Sequence, residues 1–262
     1  MSTSPPYNYN RLVGKHILIL GGTSGIGLAV AKLSLAASAR VTISSSSPSR
    51  IESTIQSLTT EFPNAQITGH ACDLSTPTVE ADLETLFQKA TTTSQIDHII
   101  FTAADPLTIL PIQEITRDKI LMAGQIRFIA AMLSATVGSR YLSPGPESSI
   151  ILTTGTVWEK PSLGWTIMAG YMGGVCSIAR NLALDLKPIR VNAVSPGLVD
   201  TGLWDALMGA EEKEGMYSFY AEKQPTGRVA RAEEVAEAYL YLMRDGNVTG
   251  RIVASDSGAL LV

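Results

Sequence analysis

Short apolar runs alternate with longer amphipathic stretches along the whole chain of 262 residues. The short runs are rich in β-branched residues, which is typical of buried strands, and the longer stretches repeat apolar residues at helical spacing. Strands are predicted over residues 16–20, 40–43, 67–71, 96–102, 149–153, 190–193 and 251–254. Helices are predicted over 48–60, 79–92, 117–141, 167–186 and 232–244, with one more opening at Leu28. The alternation predicts an α/β domain with one doubly wound parallel sheet and helices on both faces.

Composition fits one globular domain over residues 11–262, preceded by a polar, flexible arm over residues 1–10. Hydrophobic residues make up 45% of the chain and charged residues 17%. The net charge of −4 gives no reason to expect nucleic acid or a membrane surface as partner. Cys72 and Cys176 lie too far apart in sequence for a metal or disulfide framework, so no metal is expected. We expect a cytoplasmic protein, because the chain has no signal-peptide pattern.

A glycine-rich turn follows the first predicted strand and opens the first predicted helix. Its residues are Gly21, Gly22, Thr23, Ser24, Gly25, Ile26 and Gly27. Strand, glycine turn and helix in this order is the context of a dinucleotide-binding fingerprint. Gly21 permits the tight turn, Gly25 lets the backbone approach a pyrophosphate, and Gly27 lets the helix pack close to the strand. N–H groups at the helix start would then bind phosphate oxygens. The alternative is a plain strand–helix turn without a ligand.

Hydroxyl side chains and an arginine follow the second predicted strand, where an NAD-preferring site usually carries an acid. Ser45, Ser46 and Arg50 suit the 2′-phosphate of NADP(H), since an Arg–phosphate pair is charge-assisted. The alternative is a polar loop with a solvated Arg50. After the third predicted strand, Asp73 and Leu74 are placed to contact the adenine, and Asp73 has the alternative role of capping the next helix.

These stretches make the chain resemble the short-chain dehydrogenase/reductase family over nearly its full length. The other matching stretches are 189–201, Gly250 and 256–258. The resemblance implies a Rossmann-type domain in which Pro196, Gly197, Val199 and Thr201 hold the nicotinamide amide and Ala103 borders the cofactor. It also fits a homodimer or homotetramer, which we expect to form through helices over 117–141 and 170–186. Gly170, Gly173 and Gly174 would let another backbone approach there.

The family's usual Asn, Ser, Tyr and Lys are missing at their expected positions. Counting back without a gap from Asn192, the Tyr position falls on Met168 and the Lys position on Met172. The Ser position falls on Gly155 or Thr154, and the Asn position near Ala123 or Gly124. A thioether donates no proton, so ordinary carbonyl reduction loses a general acid that contributes roughly 10²- to 10⁴-fold.

Tyr171 does not replace the missing Tyr, because the residue four positions later is Val175. Two chemistries stay open. One is hydride delivery to an iminium carbon, which already bears positive charge, so the hydride neutralises it without a proton from the protein. The other is a reaction without hydride transfer, such as a ring closure, that the shape of the pocket guides.

A narrower resemblance concerns residues 158–165, which lead into a glycine-rich helix. This stretch is similar to the fungal reductase/Diels–Alderase branch of bicyclic indole alkaloid biosynthesis, whose members use an Arg and an Asp in place of the usual Tyr. The resemblance implies an aromatic, indole-like small-molecule substrate. Arg127 is our candidate for the Arg, one helical turn beyond the vacated Asn position. The alternative is a surface or interface arginine.

The loop that should supply the Asp contains none. Asp105, after the fourth predicted strand, is the nearest substitute, with a turn before Pro106 as the alternative. Thr154 completes the candidate catalytic set. Trp158, Trp165, Met168 and Met172 are predicted to line the substrate pocket, and the alternative for both tryptophans is lid or core packing. Two further functions stay open: a non-redox cyclase or isomerase, and a non-catalytic binding subunit.

Overall fold

A seven-stranded parallel sheet forms the centre of the computed structural model, which describes residues 8–262. Its strands are β1 (His16–Leu20), β2 (Arg40–Ser45), β3 (Ile67–Ala71), β4 (His98–Phe101), β5 (Ser149–Thr153), β6 (Arg190–Pro196) and β9 (Ile252–Ser255). The strand order is β3-β2-β1-β4-β5-β6-β9, so the chain reverses its direction of winding between β1 and β4. Ligands of such sheets bind at this switch point, beyond the carboxyl ends of the strands. A separate two-stranded ribbon joins β7 (Val199–Asp200) and β8 (Ala230–Arg231).

Helices cover both faces of the sheet, which confirms the predicted doubly wound fold. They are α1 (Gly25–Ala36), α2 (Pro48–Glu61), α3 (Val79–Ala90), α4 (Arg117–Gly124), α5 (Ala131–Gly138), α6 (Thr166–Asp185), α7 (Ala210–Lys223) and α8 (Ala232–Arg244). Side chains alternate across β1, so Ile17 and Ile19 join the core under α1 and α8. Leu18 and Leu20 join the opposite core under α3, α5 and α6. Because both faces of each central strand are buried, these strands read as continuous apolar runs.

The predicted helix over 117–141 is broken into pieces. After α4, the chain widens into a π-helical turn over Gln125–Ala130, continues as α5 and ends in a 3₁₀ turn over Ser139–Tyr141. By length and composition alone this stretch could cross a membrane. In the fold, α5 packs against α3 and α4 packs against α6, which accounts for its apolar inner face.

Helix α7 and the N-terminal residues also differ from, or lie outside, what the sequence predictions can be compared with. Helix α7 is missing from the predicted helices, and none of its residues is fully buried. The predicted arm over 1–10 falls, apart from residues 8–10, outside the described residues.

Candidate active site and cofactor cleft

The glycine turn after β1 leaves no room for a side chain at Gly21 or Gly27. A Cβ on Gly27 would lie 2.2 Å from the carbonyl oxygen of Gly21, and one on Gly21 would lie 2.6 Å from the backbone nitrogen of Ala103. Gly25 adopts a φ of +49°, which L side chains rarely do. Ser24 is the N-cap of α1, and its side chain makes no capping hydrogen bond. The first N–H groups of α1 are therefore available to phosphate oxygens.

A cleft of about 660 Å³ opens over this turn. The predicted cofactor residues that line it are Gly21, Thr23, Ser24, Gly25, Ile26, Gly27, Ser45, Ser46, Arg50, Asp73, Leu74, Ala103 and Thr201. Sequence reasoning missed Ser44, Cys72, Ser75 and Ile126, which also line it. The steric cradle of the glycines and the free helix start fit a nicotinamide dinucleotide.

The adenine end of the cleft is polar and open. The exposed side chain of Arg50 lines it from the first turn of α2. Oδ1 of Asp73 accepts hydrogen bonds from the backbone nitrogen of Ser75 at 2.9 Å and from its hydroxyl at 2.7 Å. These two bonds lower the pKa of Asp73 from its ordinary value. Asp73 does not cap α3, because α3 begins at Val79 behind the N-cap Thr78.

A second cavity of about 720 Å³ adjoins the first. Six residues line both: Ile26, Thr102, Ala104, Thr153, Thr201 and Leu203. Pro196, Gly197 and Val199 line the second cavity, at the end of β6. The two cavities thus share a wall near the place where the family resemblance puts the nicotinamide. This second space is the candidate substrate cavity.

The walls of the substrate cavity are mostly apolar and aromatic. They include Leu107, Ile109, Val157, Trp165, Met172, Leu198, Trp204, Met208, Met216, Phe219 and Tyr220. The rings of Trp165 and Trp204 are tilted against each other with centroids 6.5 Å apart. Such a lining suits a flat aromatic ligand.

Arg127 brings a positive charge into this cavity. Its Nη2 donates a 2.6 Å hydrogen bond to the backbone carbonyl of Asp105. Its Nε is buried and has no hydrogen-bond partner in the described part of the chain. Burial lowers the pKa of Arg127, and the nearby Asp105 opposes this shift. The side chain lines the cavity, so the alternative of a surface arginine does not hold.

The Asp105 carboxylate faces the backbone instead of the cavity. Its Oδ2 accepts hydrogen bonds from the backbone N–H groups of Ile126 and Arg127, at 2.9 Å and 3.0 Å. Asp105 is buried and does not line either cavity. This placement corrects the expectation that Asp105 is a catalytic acid: it holds the π-turn that carries Arg127.

Two predicted pocket residues lie elsewhere. Met168 is fully buried, and the backbone N–H of Thr108 points at its sulfur at 3.5 Å. It packs in a small core with Leu107 and Met172 and does not line the cavity. Trp158 is 37% exposed and sits outside the cavity, beside Gly173. Both placements correct the prediction, while Trp165 and Met172 do line the cavity.

The remaining tetrad positions offer no proton donor to the cavity. Thr154 lines it, but its hydroxyl donates a 2.8 Å hydrogen bond to the carbonyl of Met172. Tyr171 points away: its hydroxyl donates to the carbonyl of Ile120 at 2.9 Å. Its ring fills the space beside Gly124, where a Cβ would lie 2.2 Å from it.

Sequence reasoning missed the outer wall of the cavity. One face of α7 supplies Met216, Phe219, Tyr220 and Lys223, at helical spacing, and Gln224 follows. That spacing is the sequence signal that could have revealed them. Lys160 also lines the cavity and donates hydrogen bonds to the carbonyls of Ala259, at 2.7 Å, and Val262. No local pattern announces this contact with the C-terminal segment.

The family model for the SDR-like Rossmann domain matches residues 8–262. The chain therefore belongs to the short-chain dehydrogenase/reductase family of oxidoreductases, whose members are NAD(P)-dependent.

Relatives of this chain include fungal members of the family. The short-chain dehydrogenase/reductase malC of Malbranchea aurantiaca is 41% identical over 254 residues, covering 95% of this chain and 96% of malC. The short-chain dehydrogenase/reductase fsr5 of Gibberella fujikuroi is 36% identical over 256 residues, with 96% and 97% covered.

Solved structures agree. The MalC reductase/Diels–Alderase from Malbranchea aurantiaca superposes with a TM-score of 0.91 over 97% of this chain and 99% of its own. A small-chain dehydrogenase in complex with NADPH, 27% identical, superposes with a TM-score of 0.77 over 95% and 100% of the two chains. The predicted resemblance to the reductase/Diels–Alderase branch is thereby confirmed.

Proposed function

We propose that this protein is an NADPH-binding enzyme of specialised metabolism that acts on an apolar, aromatic, nitrogen-containing small molecule. It reduces an imine or iminium carbon, guides a ring closure, or does both. When bound, the cofactor supplies a hydride at the junction of the two cavities. The chain itself shapes the apolar cavity, excludes water and directs the Arg127 guanidinium towards a substrate oxygen.

One observation carries this proposal: a buried methionine occupies the family's proton-donor position, beside a large aromatic cavity. Met168 is 0% exposed, and Met172, at the Lys position, lines the cavity with a thioether. Neither group donates a proton. Hydride addition to an iminium carbon gives a neutral amine and requires no protein acid, and an imine reaches that state once its nitrogen is protonated. Ketone reduction, by contrast, requires a proton on the forming alkoxide. The relative named as a reductase/Diels–Alderase supports the same choice.

NADPH is the proposed cofactor form. Ser45, Ser46 and Arg50 line the adenine end of the cleft, and no acid lies between β2 and Arg50. The neighbour in complex with NADPH supports this assignment.

A substrate screen tests the proposal. The consumption of NADPH is measured against aromatic cyclic imines, ketones and alcohols of matched ring size. We expect turnover with imines and little with ketones. Turnover of ketones at equal efficiency would contradict the proposal.

The second candidate is a non-redox cyclase or isomerase that keeps its cofactor as a wall. The aromatic lining favours it, because shape alone can hold a folded reactant in a reactive geometry. A purified protein that retains NADPH, oxidises none of it and still accelerates a ring closure would select this candidate. The third candidate, a non-catalytic binding subunit, predicts neither activity.

We also infer assembly into a dimer or tetramer. Ile120, Leu121 and Met122 on α4 are exposed, the last by 72%. Of the three glycines on α6, Gly174 has a partner within the chain, because a Cβ there would lie 2.6 Å from the ring of Phe128. Gly170 faces open space, so it is free to accept a second copy. Light scattering that gives a monomer at micromolar concentration would contradict this inference.

A further inference from the structure

Two residues that line the substrate cavity each carry a buried polar atom without a hydrogen-bond partner among residues 8–262. One is Nε of Arg127, a donor, and the other is Oε1 of Gln224, an acceptor. Gln224 is only 5% exposed. Buried polar atoms of folded proteins nearly always have a hydrogen-bond partner, because burying one without a partner is unfavourable. Each of these atoms is therefore ready to accept a partner from a ligand.

The backbone of Gln224 is fixed, while Oε1 of its side chain has no partner among the described residues. Its N–H donates to the carbonyl of Tyr220 at 2.9 Å, which ends α7, and its carbonyl accepts from the N–H of Gly227 at 2.8 Å. The next residue, Pro225, packs against Gly258, where a Cβ would lie 2.7 Å from the proline ring. Gln224 is thus held between α7 and the C-terminal segment. This support presents the side chain to the cavity from a defined position.

The other polar groups of the cavity leave Gln224 a distinct role. Arg127, Lys160 and Lys223 are donors only. The hydroxyl of Thr154 already donates to Met172. Gln224 carries the only side-chain carbonyl oxygen among the described residues that line this cavity. The hydroxyl groups of the lining, such as those of Thr156, Ser162 and Tyr220, can donate or accept a hydrogen bond. The Gln224 oxygen can only accept one, which suits it to an N–H from a ligand.

We propose that Gln224 determines substrate specificity by accepting a hydrogen bond from an N–H group of the substrate, while Arg127 binds a carbonyl oxygen of the same molecule. The ligand class is therefore an aromatic compound that carries both an N–H donor and a carbonyl acceptor, such as an aromatic lactam. This inference rests on the proposed function, because it assigns the substrate to the cavity beside the cofactor cleft. It adds a residue and a chemical requirement that the family fold does not dictate.

Matched fragments test the requirement. Oxindole carries the N–H and the carbonyl, whereas 2-indanone replaces the N–H by CH₂ at nearly the same size. Binding of each to the NADPH-saturated protein is measured by ligand-observed NMR or calorimetry. We expect oxindole to bind about tenfold more tightly, since the ketone leaves a buried acceptor unpaired. Equal affinity of the two fragments would overturn the proposal.

Variants at the same position assign the effect to Gln224. Gln224→Met keeps the length of the side chain without polar atoms, and we expect the preference for oxindole to shrink to within about twofold. Gln224→Glu keeps an acceptor oxygen, so the preference for oxindole over 2-indanone should persist. NADPH affinity, measured on each variant, should stay at the wild-type level and reports that the fold is intact. A preference that survives in Gln224→Met contradicts the assignment.

The fragments separate this inference from the proposed function. A tenfold preference that depends on Gln224 in a protein that never oxidises NADPH would support the inference and reject the reductase. Imine reduction together with fragment binding that does not depend on Gln224 would support the reductase and reject the inference about Gln224.

Discussion

Asp105 and Arg127 hold each other in place without a contact between their charged groups. Oδ2 of Asp105 accepts the backbone N–H of Arg127 at 3.0 Å, and Nη2 of Arg127 donates to the backbone carbonyl of Asp105 at 2.6 Å. The carboxylate thus serves the π-turn, and the Arg127 side chain lines the cavity. Asp105 therefore supports the position of Arg127 and does not act as a proton donor to the cavity.

Replacing Asp105 tests this division of roles. Asp105→Ala leaves two backbone N–H groups unpaired, so we expect a loss of about 1–3 kcal/mol in the free energy of unfolding and a fall in turnover. Asp105→Asn keeps one acceptor oxygen and should recover most of both. Denaturant unfolding and steady-state kinetics measure the two effects. If Asp105→Asn were as inactive as Asp105→Ala while remaining stable, the carboxylate would have to act in the chemistry itself.

Arg127→Ala should lower turnover by roughly 10²- to 10³-fold, because it removes a preorganised donor from an apolar site. Arg127→Lys should recover little, since an ammonium does not reproduce the geometry of the guanidinium. NADPH affinity should not change. Arg117→Ala is the matched control, because the Arg117 side chain is 82% exposed at the start of α4. Near-full turnover in Arg127→Ala would show that the cavity does not need this charge.

Arg50→Ala should weaken NADPH binding by about tenfold and leave NADH binding unchanged, because only NADPH carries the 2′-phosphate. Raising the salt concentration should reduce the difference between the two nucleotides, since the side chain is exposed. Calorimetric titration of both nucleotides measures this effect. An equal loss for NADH would place Arg50 against the pyrophosphate or ribose instead.

Restoring the family pair should separate stability from chemistry. Met168→Tyr enlarges a fully packed side chain, and we expect a cost of about 1–3 kcal/mol from overpacking. Met172→Lys places an ammonium in the apolar wall of the cavity, where burial would lower its pKa. The double variant should lose turnover of the native substrate. Thermal unfolding of the two single variants measures how much of that loss comes from reduced stability. A rise in turnover would contradict the proposal that the methionines form part of the working pocket.

Acid should destabilise the protein through His98. Burial lowers the pKa of His98 to about 3, while Nδ1 hydrogen-bonds the hydroxyl of Ser149 at 2.9 Å. Between its unfolded pKa of about 6.5 and its folded pKa, the unfolded chain binds the proton and the folded protein does not. This contribution is fully present above about pH 6.5 and is lost as the pH falls.

We therefore expect the melting temperature to fall between neutral pH and about pH 5, and His98→Gln to flatten that dependence. The control is His70→Gln, at a half-buried position on the edge strand β3. A flattening as large in the control as in His98→Gln would show that burial of His98 is not the cause.

The sequence revealed the cofactor cleft better than the substrate cavity, for a physical reason. The glycine turn, β1 and α1 form a local unit, so the spacing of Gly21, Gly25 and Gly27 carries its own structural meaning. The outer wall of the cavity forms only when α7 and the C-terminal segment approach one another in the fold. Gln224 therefore had no local pattern to mark it.

The direction of individual side chains was the second property that the sequence did not predict. The register that placed Met168 and Met172 at the vacated Tyr and Lys positions does not tell which thioether lines the cavity. The structure buries Met168 and places Met172 in the wall. Likewise, the use of the Asp105 carboxylate depends on the π-turn over Gln125–Ala130, which apolar periodicity alone reads as continuous helix.

The central claim is hydride delivery to carbon bound to nitrogen without a protein acid at the Tyr position. The most direct measurement uses NADPH deuterated at the transferring position, with an aromatic cyclic imine and the aromatic ketone of the same ring size. We predict that deuterium appears at the former imine carbon and that this transfer is abolished or strongly slowed in Arg127→Ala. We predict little deuterium in the alcohol that forms from the ketone. Deuterium in the alcohol at an equal rate, or in neither product, would contradict the account.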